Sequence, residues 1–147
     1  MSNHVRLPAE RVEQLRMIAE AENKTIAEVI ADFVRSKIAA GTIPATVPGF
    51  DVQRSDLSIT IKANGFEVEI PTDQGPTLAD VLRDAADRPA DPERKKRWLE
   101  GAAALAGIKV KRAGNGLKLV SPLTGREFPL NLDVAVDLGD QIANEAK

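Results

Sequence analysis

His4 and Arg6 are the side chains best placed, by type and spacing, to engage a partner chemically. They alternate with Val5 and Leu7, so in an extended segment both polar groups fall on one face and both apolar groups on the other. A guanidinium is a planar fork of donors that can bond a guanine edge bidentately. A second candidate is Lys24-Thr25-Ile26. Thr25 and Glu28 form a capping pattern, and a helix that starts there presents unpaired N–H groups and a positive dipole end suited to a phosphate. Together the two patterns imply hydrogen bonding to nucleic acid, with the strand reading bases and the helix start setting register.

A third candidate is the run from Arg94 to Lys118, which carries eight basic residues and one acid, Glu100. Lys109, Lys111 and Lys118 alternate with Ile108, Val110, Leu117 and Leu119, which predicts one lysine face on a hairpin. Arg94, Lys95, Lys96 and Arg97 fall on the helix before it. The run fits a second phosphate-contacting or acidic-partner surface. It fits more simply a solvated face with counter-charges from Asp84, Asp87, Asp91 or Glu93. Arg126 and Glu127 suit a pair across a strand.

Other chemistry is not indicated. Cysteine is absent, so disulfides, thiolate metal sites and cysteine nucleophiles are excluded. A single histidine without cysteine gives no metal-ligand cluster. Gly114-Asn115-Gly116 lacks the glycine spacing and the following helix of a phosphate loop. Asp84 and Asp87 suit salt pairing on a helix surface, and Trp98 suits a core or rim anchor. No catalytic constellation and no cofactor is expected, so the expected class is not an enzyme.

The chain has 147 residues, 43% hydrophobic and 29% charged, with net charge −2. That composition suits a small domain joined to a medium one and does not suggest disorder. No window approaches the roughly 18 consecutive apolar residues of a membrane helix. Met1 to Leu7 lacks the apolar core of a secretory signal, and the absence of cysteine suits a reducing cytoplasm, the expected location. Residues 1–44 carry six basic and six acidic residues, which limits non-specific attraction to a polyanion.

The elements that must position these groups follow from periodicity. Asn3 to Pro8 reads as a short strand, and Pro8 suits the first turn of a helix. Val12, Leu15, Ile18 and Ala19 make an apolar stripe that ends near Asn23, a residue tolerant of the left-handed helix stop. Ile26, Val29, Ile30, Phe33, Val34 and Ile38 form the face of a second helix, closed by Gly41 and Pro44. Residues 45–49 read as a linker. In residues 50–147, Leu57 to Ile61 and Phe66 to Ile70 flank Asn64-Gly65, a hairpin whose turn residues supply positive φ. Leu78, Val81 and Leu82 suggest a helix, and Asp91-Pro92-Glu93 opens another. A second hairpin spans Ile108 to Val120, extended by Glu127 to Leu130, and Val134 to Glu145 suggests a final helix. No repeat and no low-complexity tract is evident. The fold class expected for residues 50–147 is α+β, with two hairpins and two to three helices.

A lone strand and two short helices in about forty residues make too small a core to stand alone. A symmetric dimer remedies both defects, because the strand pairs antiparallel with its copy and the helix pairs close one shared core. A two-stranded ribbon is narrow enough to enter the major groove.

The run Val5-Arg6-Leu7-Pro8, the Leu15-x-x-Ile18-Ala19 stripe, the Asn23-Lys24-Thr25 turn and the Ile26-to-Ile38 helix resemble the Arc/MetJ/CopG ribbon-helix-helix family over residues 3 to 40. The resemblance implies an obligate homodimer with an intermolecular ribbon in the DNA major groove, and repression or autoregulation; higher-order assembly of dimers on DNA is left open. It places His4 and Arg6, with Ser2 as a third, at base-reading positions, and Lys24 and Thr25 at the phosphate-contacting helix start. The expected function is a sequence-specific transcriptional regulator whose second domain binds a ligand or a protein. The alternatives are an antitoxin that binds its own operator and neutralises a toxin, and a dimerisation scaffold without specific DNA binding.

Overall fold

The computed structural model describes residues 4–86, 92–113 and 116–147. The chain divides into two compact units, Met1–Pro44 and Ala45–Lys147. No described helix is long and apolar enough to cross a membrane.

The first unit holds α1 (Ala9–Glu22) and α2 (Ile26–Ala39). Pro8 sits just before the first helical residue rather than within the first turn, and its carbonyl accepts from the N–H groups of Arg11 and Val12. Asn23 stops α1 in the left-handed region, at φ 56° and ψ 48°. Its N–H donates to Glu20 and that of Lys24 to Ala19, the two reversed bonds that satisfy a helix's last carbonyls. Thr25 caps α2, its Oγ1 accepting from the Glu28 N–H at 3.1 Å. At the other end Gly41, at φ 77°, repeats the left-handed stop, and Thr42 N–H donates to Lys37. Residues 4–8 pair with no strand; the ribbon expected of them needs a second copy. Ala19 and Ala31 are the buried residues of the two helices.

The second unit is an α+β fold with two antiparallel three-stranded sheets. The first comprises β1 (Asp51–Arg54), β2 (Ser58–Ala63) and β3 (Phe66–Pro71), and a short 3-10 turn then leads into α3 (Gly75–Ala86). After α4 (Pro92–Ala104) come β4 (Lys109–Ala113), β5 (Gly116–Val120), β6 (Glu127–Asn131) and α5 (Leu132–Glu145). Both expected hairpins are present, and each is widened by a third strand. In the first hairpin Gly65 alone takes positive φ, 73°; Asn64 does not, because this turn needs one left-handed residue rather than two. Gly114 and Asn115, read as the second turn, lie outside the described residues. Val47, in the segment read as a linker, is buried in this unit, and its N–H donates to Gln141 Oε1 at 2.9 Å.

A repeat invisible to sequence inspection emerges from the register. Three antiparallel strands followed by a helix occur twice, with α4 between the copies. Val52, Ile61 and Val68 lie side by side in the first sheet, and Val110, Leu119 and Phe128 do so in the second. Arg54, Ile59 and Ile70 match Arg112, Leu117 and Leu130 in the same way. The inward aliphatic residues of these rows meet Leu78, Leu82, Leu138 and Ile142 in one core. Each fully buried Leu or Ile stabilises by about 1.5–3 kcal/mol. The copies also cross. Arg112 donates to the Ala85 carbonyl at the end of α3, 2.7 Å away, while Arg54 donates to the Lys147 carbonyl just past α5. Each first-strand arginine thus meets carbonyls at the C-terminal end of the other copy's helix, where a cation is favoured.

Trp98 on α4 anchors that helix as the sequence suggested, half-buried against the core and donating its ring N–H to the Val81 carbonyl at 3.1 Å. The turn from α4 into β4 runs along β3 so closely that a Cβ on Gly107 would stand 2.2 Å from the Glu69 carbonyl oxygen. Gly107→Ala is therefore expected to destabilise the second unit by about 1–3 kcal/mol, through forced backbone movement. Urea unfolding followed by Trp98 fluorescence measures it, and an unchanged midpoint would contradict the close approach.

Candidate nucleic-acid interface

The sequence-derived site residues fall into two groups, one in each unit. In the first unit His4 and Arg6 precede α1 and are exposed, and Arg6 makes no ion pair or hydrogen bond among the described residues. Ser2 lies outside the described residues. The polar face of α1 pairs internally: Arg16 bonds Glu13 and Glu20, and Arg11 donates to Gln14. Arg6 stands outside that network, its five donors available to a partner.

Lys24 and Thr25 occupy the turn between the helices. The hydroxyl oxygen of Thr25 accepts from Glu28, which leaves its own O–H to donate outward. Lys24 is engaged. Its Nζ lies 2.5 Å from Asp32 Oδ2 and 3.9 Å from Glu22. The hydrogen bond and charge of Asp32 raise the Lys24 pKa above the ordinary lysine value, and Lys24 holds the Asp32 carboxyl below the usual aspartate range. A phosphate reaching Lys24 must displace a carboxylate. Sequence inspection missed this partner because Lys24 precedes the helix and Asp32 lies eight residues on, a spacing outside the i, i+4 rule.

In the second unit the basic run separates by face. Lys109, Lys111 and Lys118 point away from the core, as the alternation predicted. Lys111 and Lys118 stand directly opposite each other across the strands. Lys118 bridges Glu127 at 3.2 Å, so the pairing of Glu127 expected with Arg126 is not made. Arg126 donates instead to the Gly65 carbonyl at 3.0 Å and ties one sheet's turn to the other's loop. Arg112 stays exposed, but its guanidinium is engaged by the Ala85 carbonyl at the end of α3. Lys95, Lys96 and Arg97 are exposed on α4, a separate element; nothing is described of the Arg94 side chain. Of the counter-charges foreseen, Asp87 and Asp91 lie outside the described residues.

Where Arg126 meets Gly65 there is an open cleft of 420 Å³, lined by Lys62, Phe66, Glu67, Thr124 and Arg126 among others. No group of three metal-ligating side chains occurs among the described residues. Comparison with protein-family models, curated proteins and solved structures finds no match for this chain.

The Lys24–Asp32 pair has a defined pH behaviour. Because the Asp32 pKa is depressed, its contribution is present above the ordinary aspartate pKa and is lost as pH falls through the lowered value. Lys24→Gln is expected to raise the Asp32 midpoint toward the ordinary aspartate value, with Arg35 at 4.0 Å still favouring the charged form, read by NMR of its carboxyl carbon. An unmoved midpoint would deny the pairing.

Proposed function

We propose that the chain is a homodimeric, sequence-specific DNA-binding regulator, whose first unit forms a ribbon-helix-helix dimer and whose folded second unit receives a ligand or a protein. The observation that carries the reading is the uncovered apolar surface of the first unit. In one chain Phe33 is 62% and Val5 82% exposed, with Val12, Ile18 and Ile30 also open to solvent. These positions are the stripes that periodicity assigned to a core, and one copy holds too little apolar surface to make that core. A second copy brings the same stripes and pairs residues 4–8 antiparallel.

In such a dimer Val5 and Leu7 face the helices, while Arg6 and its symmetry mate face outward together. A ribbon of that width fits the major groove, and the capped start of α2 suits a phosphate on either side. The fold of the second unit favours a regulator over an antitoxin, whose neutralising segment is more often short and extended.

Two measurements test this. Phe33→Asp places a charge in the shared core and is expected to abolish the dimer; a folded dimer of this variant in light scattering would remove the premise. Arg6→Ala is expected to keep the fold and to cost about 1–3 kcal/mol per half-site in discrimination. Fluorescence anisotropy on DNA tiles from upstream of the chain's own gene measures it. Equal, weak, salt-sensitive binding by both proteins would leave only a dimerisation module.

A further inference from the structure

The second sheet carries a cost that its fold does not require. Lys111 and Lys118 are direct cross-strand neighbours, and Lys109 lies two residues along the same strand on the same outward face. Like charges directly opposite destabilise a sheet. One acid, Glu127, bridges Lys118, while Lys109 and Lys111 make no ion pair among the described residues.

The internal repeat supplies a control. In the first sheet the places of Lys109, Lys111 and Lys118 are held by Asp51, Gln53 and Thr60, in the same register. Gln53 opposes Thr60 without repulsion, and Asp51 opposes Lys62. The same three-stranded sheet therefore forms with neutral or complementary residues at these positions. Packing does not explain the lysines, since their side chains point away from the core.

We infer that this outward face is a second phosphate-contacting surface, engaging the backbone of the nucleic acid bound by the first unit; the inference rests on the DNA-binding reading above. Lys109 and Lys111 lie about 7 Å apart along the strand, and Lys118 stands about 5 Å across from Lys111. An incoming phosphate relieves their repulsion, which turns the cost of the unliganded sheet into affinity. Three lysines alone bind weakly. The surface need not act alone, because its unit follows Pro44 directly and is delivered at high effective concentration once the first unit has bound.

The test is a salt series of anisotropy measurements on the full chain, comparing wild type, Arg6→Ala and the double variant Lys109→Gln/Lys111→Gln. The probes are the duplex that wild type binds and an unrelated duplex of equal length. Expected for the double variant is a slope of log affinity against log salt reduced by about two per protomer, about four for the bound dimer, on both duplexes alike. Preference between the duplexes is retained, whereas Arg6→Ala loses preference. The thermal midpoint of the double variant is expected to be unchanged or raised, because a repulsive pair has been removed. An unchanged slope, with wild type still binding tightly, overturns the inference alone and gives the face to an acidic protein or to solvent. A lowered midpoint also overturns it, since the lysines then serve the fold. Failure of wild type to bind any duplex overturns both readings together.

Discussion

Two helices of fourteen residues cannot hide their own apolar faces, and the first unit is organised around that constraint. Three of its four helix ends are finished locally, by Thr25, Asn23 and Gly41, while α1 starts after Pro8 without a side-chain cap. The larger shortfall is hydrophobic. Ala19 and Ala31 are buried, while the larger side chains around them face water. On the proposed reading, a second copy covers these side chains.

The second unit meets the same difficulty within one chain. The inner faces of both three-stranded sheets pack into one core with α3 and α5. The two copies of strand, strand, strand and helix share α3 and α5 between them, and Gly139 lets the helices approach until its Cβ position lies 3.0 Å from the Ala79 carbonyl. Arg83 and Asp140 close the outer side of that seam at 2.7 Å. One chain thus contains both remedies for a small core, internal repetition in one unit and, on the proposed reading, association with a copy in the other.

Much of the local structure was legible. Capping chemistry is read from adjacent residues, so the Thr25 start and the Asn23 stop were visible in the order of amino acids. Asn64-Gly65 marked its hairpin, although Gly65 alone needed the left-handed backbone. β1 was not legible, because four residues with one buried side chain, Val52, carry too little alternation to stand out. The repeat was hidden for a different reason. Its copies conserve register and polarity at positions such as Ile59 and Leu117, but identity at few, among them Val52 with Val110 and Arg54 with Arg112. At the candidate interface the Thr25 cap followed from capping chemistry and the outward face of the three lysines from periodicity, while Arg6 lies in a segment that pairs with no strand. The destinations of Lys24, Arg112 and Arg126 were not legible, since each bonds a group that only the folded chain brings near.

The crossed arginines bear on how the molecule is born. A chain made from its amino end offers β1, β2, β3 and α3 long before α5 exists. Arg54 then has no carbonyl to meet, and the inner faces of α3 and the first sheet lack Leu138 and Ile142. Until α5 has been made, the first sheet and α3 lack part of the core that they share with it. The first unit leaves the ribosome before that core is complete and, on the proposed reading, gains its own core only when a second copy meets it.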